Sequence, residues 1–300
     1  MKRTLALLLA LACVFSLTGC RTREERQTMR RQLDYANGTL EPDLPDHLET
    51  EDGTTLDEQV IYDKKGVTIT ALGIYEDTNY YYIPFSFRNN SKEDLSWFVD
   101  AITVNGWISF GWLEDAEQVV HGGLDYNTLR IDRDSLSAVL RPGRITGSFV
   151  LEDENWTTVS FSLTTSAGEG ENKPFDVQVP VWSQDDVSLY LTGMRSSSYE
   201  LVFSFYLENQ SKDACSFDVE EDSISLNGSE ESLLSGWGYV SLPEAGKKSF
   251  DLRLDWDELE ALGMDRSTPL TTLSFTATVS LDDDWENIVP INVDLTLLKN

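Results

Sequence analysis

Histidine, cysteine and positive charge are all scarce in this chain of 300 residues. The two histidines, His47 and His121, leave little for histidine chemistry. A Ser-His-Asp triad or a multi-histidine metal site would need one of them, and neither sits in a recognisable motif. Against 52 Asp+Glu stand 23 Lys+Arg, for a formal net charge of -29. Nucleic-acid binding requires a basic stripe that displaces counterions from phosphates, and no Lys/Arg cluster lies in the region expected to fold, so that class is nearly excluded. What the chain does contain is large apolar side chains, with 8 Trp, 13 Phe and 11 Tyr. These suffice for packed cores, and the length suggests about two domains.

Residues 1–20, MKRTLALLLALACVFSLTGC, carry Lys2 and Arg3, an apolar run from Leu5 to Leu17, then small residues before Cys20. The run is too short to span a bilayer and has the layout of a secretory signal. Leu17-Thr18-Gly19-Cys20 resembles the lipobox of bacterial lipoproteins. That resemblance implies cleavage of residues 1–19, a lipid on Cys20, and an extracytoplasmic chain tethered to the cell membrane. Arg21, Arg23, Arg26, Arg30 and Arg31 follow at once. An anionic surface would attract them, or they are simply the solvated charges of a tether. After Arg31 acidic residues and prolines dominate, so 20–57 reads as the lipidated Cys and a charged, flexible stalk with one short helix near 22–35.

The remainder repeats itself. At a shift of 120, residues 67–99 match 187–219 at Val67, Gly73, Phe85, Asn89, Ser91, Lys92, Ser96 and Val99. Character is kept at alternate positions, as in Ile69/Leu189, Phe87/Leu207 and Trp97/Phe217, which is the period of a half-buried strand. Further anchors pair Asn105-Gly106 with Asn227-Gly228, Ser148-Phe149 with Ser249-Phe250, and residues 157–161 with 271–275. The expected fold is all-β: two tandem immunoglobulin-like β-sandwiches over 58–182 and 183–300. On these anchors the first copy carries about 21 extra residues, an insertion near 107–140. The second carries a short helix near 255–264, where Trp256, Leu259 and Leu262 recur at helical spacing.

The order of features resembles the immunoglobulin-like domains of unknown function found in bacterial surface lipoproteins. Asn89-Asn90-Ser91 and Leu140-Arg141-Pro142-Gly143 before Gly147 and Phe149 carry the likeness in the first copy. The second copy departs, with Asn209-Gln210-Ser211 followed by Leu242-Pro243-Glu244-Ala245-Gly246. The resemblance implies a sandwich and an envelope setting, and it brings no catalytic residues.

Functional candidates are few. Trp107, Trp112 and Tyr126 in the segment read as an insertion could stack on sugar rings or a partner protein, or pack as an extra hairpin over the core. Acidic pairs such as Asp185-Asp186 and Asp282 to Asp284 do not match a calcium loop and read as solvated charge, so no metal is expected. The Asn-x-Ser/Thr triplets at 37, 89, 155, 209 and 227 read as turn chemistry. Cys215 has no partner once Cys13 is removed and Cys20 acylated, and its place opposite Leu95 predicts a buried thiol. The expected function is a non-enzymatic binding or interaction module without cofactor. Its partners would be the membrane, through Cys20, and a cell-surface protein or glycan; the alternative is a glycan- or small-molecule-binding accessory protein.

Overall fold

The computed structural model describes residues 22–114, 118–153, 155–229, 239–281 and 284–299; Cys20 and the signal-like segment lie outside them. Among the described residues the chain is all-β with two α-helices. The N-terminal half opens with helix α1 (Arg23–Ala36), then β1 (Gln59–Lys64), β2 (Val67–Ala71), β3 (Tyr75–Glu76), β4 (Tyr80–Asn89), β5 (Trp97–Val104) and β6 (Trp107–Ser109). It continues through β7 (Gly111–Leu113), β8 (Leu124–Asp132), β9 (Val139–Arg141), β10 (Arg144–Leu151), β11 (Thr157–Thr164) and β12 (Glu171–Asn172). The C-terminal half comprises β13 (Val179–Gln184), β14 (Val187–Ser196), β15 (Glu200–Asn209), β16 (Cys215–Val219) and β17 (Ser225–Leu226). It ends with β18 (Val240–Leu242), β19 (Lys247–Asp255), helix α2 (Trp256–Ala261), β20 (Thr272–Leu281) and β21 (Asp284–Asp294).

Alternating side chains build two cores. In β11, Val159, Phe161 and Leu163 point inward between exposed Thr158, Ser160 and Ser162. In the first core Phe85 meets Phe149 edge-on at 5.2 Å and Phe87 stacks on Trp97 at 3.7 Å. In the second, Phe205 meets Phe275 at 5.8 Å and Phe250 meets Phe217 at 5.9 Å. One layer of the N-terminal half runs β1-β2-β4-β8-β7, with β3 on β4. Its facing layer, β11-β10-β5-β6, continues through a parallel contact of Trp107 with Lys247 into β19-β15-β14-β13. The halves therefore share one eight-stranded sheet. The C-terminal half closes with the sheet of β17, β20, β16, β18 and β21.

Asparagines fix corresponding turns in both halves, and two of them, Asn89 and Asn209, are fully buried. Asn89 Nδ2 donates to the Glu93 and Val119 carbonyls, and its Oδ1 accepts from the Ser91 N–H. Asn209 does the same with Asp213, Pro243 and Ser211. Asn105 Nδ2 donates to the Arg141 carbonyl while its Oδ1 accepts from the Gly143 N–H; Asn227 repeats this with Pro269 and Thr271. The Pro142-Gly143 stretch has a packing role as well, since a Cβ on Gly143 would lie 2.0 Å from the Gly170 nitrogen.

Three expectations need correction. The stalk is not flexible throughout: Gln32 of α1 is fully buried against the N-terminal half, and Leu56 joins the first core. The boundary at 182/183 cuts β13, which pairs with β14 from Val179 onward. The insertion near 107–140 is not extra chain. Ser249-Phe250 lies in β19, whereas Ser148-Phe149 lies in β10, and the strand placed like β19 is β8. Likewise 157–161 forms β11 but 271–275 leads into β20, placed like β10. Gly123 and Gly246 each donate to the residue three before and accept from Asn89 or Asn209, so the stretch after Gly106 has a counterpart of similar length after Gly228. The late anchors matched by composition, one strand out of step. The helix expected at 255–264 forms as α2, with the Asp255 side chain accepting from the Asp257 N–H.

Candidate functional site

The three aromatics singled out from sequence do not come together. Trp107 is 4% exposed and packs into a seam between the halves, 5.3 Å from Tyr206 and 5.9 Å from Phe175. It is a packing residue, not a contact residue. Tyr126 is half-buried beneath α1, edge-on to Tyr35 at 5.1 Å. Trp112 alone reaches the surface, 39% exposed, at the end of the β1-β2-β4-β8-β7 layer.

Around Trp112 the sheet assembles an aromatic face. Strand register places Tyr75 opposite Tyr82, Tyr82 opposite Arg130, and Arg130 opposite Trp112, one row across β3, β4, β8 and β7. Tyr75 stacks on Tyr82 at 4.7 Å with planes 6° apart, and Tyr80 stands edge-on to Trp112 at 5.3 Å. The Arg130 guanidinium lies 5.7 Å from the Tyr82 ring centre and pairs with Glu114. Tyr82 donates its hydroxyl to Asp77 at 2.7 Å. Burial, then the Asp77 partner, pushes the Tyr82 phenol up to about 12. The Tyr82 hydroxyl and then, against burial, the Asn79 and Tyr80 N–H groups hold the Asp77 carboxyl below its usual range. Flat rings beside fixed carboxylates and a guanidinium can stack on an apolar ring face and bond its hydroxyl rim.

A concavity of about 560 Å³ lies at the loop end of the same half, lined among others by Tyr62, Lys65, Val67, Asn90, Lys92 and Leu95. Lys65 Nζ stands 3.6 Å from Asp153 there. Among the described residues no group of three or more His, Cys, Asp or Glu is placed to hold a metal ion. His121 is exposed and donates its N–H to Asp94 at 2.9 Å. Cys215 is buried at 2% exposure, and burial pushes its thiol up to about 11.

Sequence reading missed Tyr75, Tyr80, Tyr82 and Arg130. The run Tyr80-Tyr81-Tyr82 was the available signal, since alternation must send two of three rings to one face. The pairing of distant strands that adds Arg130 and Trp112 had none.

No family model and no curated protein matches the chain. Among solved structures, a transglutaminase from red sea bream is 9% identical at a TM-score of 0.21, over 92% of this chain and 34% of that one. A conserved domain protein from Bacillus anthracis is 10% identical at a TM-score of 0.26, over 87% of this chain and 98% of that one. The chain thus spans about a third of the transglutaminase's length. Likeness at this level assigns neither a family nor an activity.

Proposed function

We propose that this chain is a membrane-anchored extracytoplasmic lipoprotein whose two tandem immunoglobulin-like sandwiches, products of an internal duplication, act as a non-enzymatic binding module. Anchoring rests on Leu17-Thr18-Gly19-Cys20 after the apolar run. The duplication rests on the paired roles of Asn89/Asn209 and Asn105/Asn227. The observation that carries binding is the row Tyr75–Tyr82–Arg130–Trp112 with Tyr80 beside it, a polar-flanked aromatic cluster in which Tyr82 is buried, Tyr75 and Tyr80 are half-buried and Trp112 is exposed. That face favours a glycan, whose sugar rings stack on tyrosine and tryptophan. Detergent-phase partitioning of wild type and Cys20→Ala tests the anchor: the wild type enters the detergent phase, and equal aqueous partitioning of both sinks it. Affinity electrophoresis through gels containing cell-wall polysaccharides tests the face. Retardation of the wild type, relieved by Tyr80→Ala with Trp112→Ala, is expected; the absence of any retardation ends the glycan reading.

A further inference from the structure

The helix that follows Cys20 has two unlike faces. Its start is fixed by a capping box, with Thr22 and Glu25 exchanging bonds of 3.1 and 2.6 Å. Its inner face is nailed down by Gln32, whose Nε2 donates at 2.9 Å to both the Gln118 carbonyl and Asp125, while its Oε1 accepts from the Val120 N–H at 3.0 Å. Tyr35 adds the edge-on contact with Tyr126. At 3.6 residues per turn, Arg23, Arg26 and Arg30 form one stripe, and Gln32 lies about half a turn away from its middle. All three arginines are exposed, with Leu33 exposed beside them. Arg30 reaches Asp34 at 3.8 Å at the far end of the stripe.

We propose that this arginine face is a docking surface for an anionic phospholipid bilayer, holding the N-terminal half down on the membrane rather than at the end of a tether. The proposal rests on the anchoring reading above. Cys20 stands only three positions before Arg23, so a lipid on it leaves at most about 10 Å of chain between bilayer and helix. The 14-residue helix, about 21 Å long, then has its outer face within reach of the headgroups along its length. A net charge of -29 does not forbid this, because screening over about 8–10 Å leaves only the nearest charges to act. Each arginine near an anionic surface favours contact by roughly fivefold. Gln32 turns that attraction into an orientation, since the face cannot reach the bilayer without bringing β8 with it.

The full chain reconstituted in lipid nanodiscs tests this, using phosphatidylcholine alone or mixed with phosphatidylglycerol. Tryptic cleavage after Arg26 and Arg30 is expected to be at least about tenfold slower in the phosphatidylglycerol discs, with the protection lost at high salt. Energy transfer from the tryptophans to labelled headgroups should likewise rise with phosphatidylglycerol, and Arg23→Gln/Arg26→Gln/Arg30→Gln should abolish the rise. Equal cleavage in both discs overturns the proposal. So does equal protection in both, which would mean that protein rather than headgroups covers the arginines. Failure of the anchor is distinguishable, because the chain would then not co-purify with either disc.

Discussion

The two halves are wired alike and dressed differently. Both hold their central strands with a fully buried asparagine, Asn89 or Asn209, and both turn β1–β2 or β13–β14 through two residues at positive φ. In the N-terminal half that turn is Lys65-Gly66, beside Lys92 and an open concavity of about 560 Å³. In the C-terminal half it is Asp185-Asp186, and the matching space, against Trp182, Val279, Leu281 and Val289, is about 10 Å³. The outer faces differ too. Tyr190 and Tyr206 of the C-terminal half stack at 5.2 Å and are covered by Trp107 and Phe175. The same layer of the N-terminal half is covered by α1 at one end and leaves Trp112 exposed and Tyr80 half-buried at the other. Similar strand arrangements thus leave one outer face partly open and cover the other with the contact that holds the halves together.

The largest expected effects test whether the halves stand or fall as one. Phe85→Ala and Phe205→Ala each empty a fully buried position and should cost about 3–5 kcal/mol in urea unfolding. If the shared sheet couples the halves, each variant lowers a single transition by a similar amount. Trp107→Ala removes the ring wedged against Tyr206 and Phe175 and should cost about 3 kcal/mol. It should also split that transition in two; a single unsplit transition in Trp107→Ala would show that the seam does not carry the coupling.

Next in size are the asparagines. Asn89→Ala and Asn209→Ala each strip two carbonyls of their side-chain donor, costing about 2–3 kcal/mol. Closely matched losses sharpen the comparison, and a neutral Asn209→Ala would break it. Both asparagines were legible in the sequence because the shift of 120 holds as far as residue 99. Beyond the Asn-Gly turns the reading slipped by a strand, since Ser-Phe and Thr-Thr-x-Ser-Phe are short strand-like strings that recur by composition. The truer match was present: Leu129-Arg-Ile-Asp-Arg-Asp-Ser-Leu136 against Leu252-Arg-Leu-Asp-Trp-Asp-Glu-Leu259, ending β8 and β19. The docked helix was harder. A charged, proline-bearing segment reads as a tether, and one buried glutamine with three partners overrides that average. The aromatic row was beyond local reading because its members come from four strands.

Cys215 offers a smaller test of the second core. Burial pushes its thiol up to about 11, so little thiolate forms near neutrality. Labelling of the native chain by a maleimide at pH 8 should run roughly a hundredfold slower than in denaturant. Comparable rates in the two conditions would place this strand at the surface and undo its likeness to the Leu95 position.

The smallest expected effect concerns the loop end where the halves diverge most. Asp153 accepts from the Thr157 hydroxyl at 2.6 Å and from the Asn155 and Thr157 N–H groups at 3.0 Å. The Thr157 hydroxyl first, then against burial those N–H groups and Lys65, holds its carboxyl below the usual range. A carboxyl whose folded value is depressed stabilises the fold above its unfolded value, about 3.9, and loses that contribution as pH falls through the folded one. Asp153→Asn should therefore cost about 1 kcal/mol at pH 7, and the gap to wild type should close on acidification below about pH 4. The acidic Asp185-Asp186 turn sets no lysine at the equivalent of Lys65, so Asp185→Asn should leave stability within about 0.5 kcal/mol of wild type at pH 7. Urea midpoints at both pH values decide it. A gap for Asp153→Asn that stays constant across the range would mean that the turn needs the shape of the side chain and not its charge.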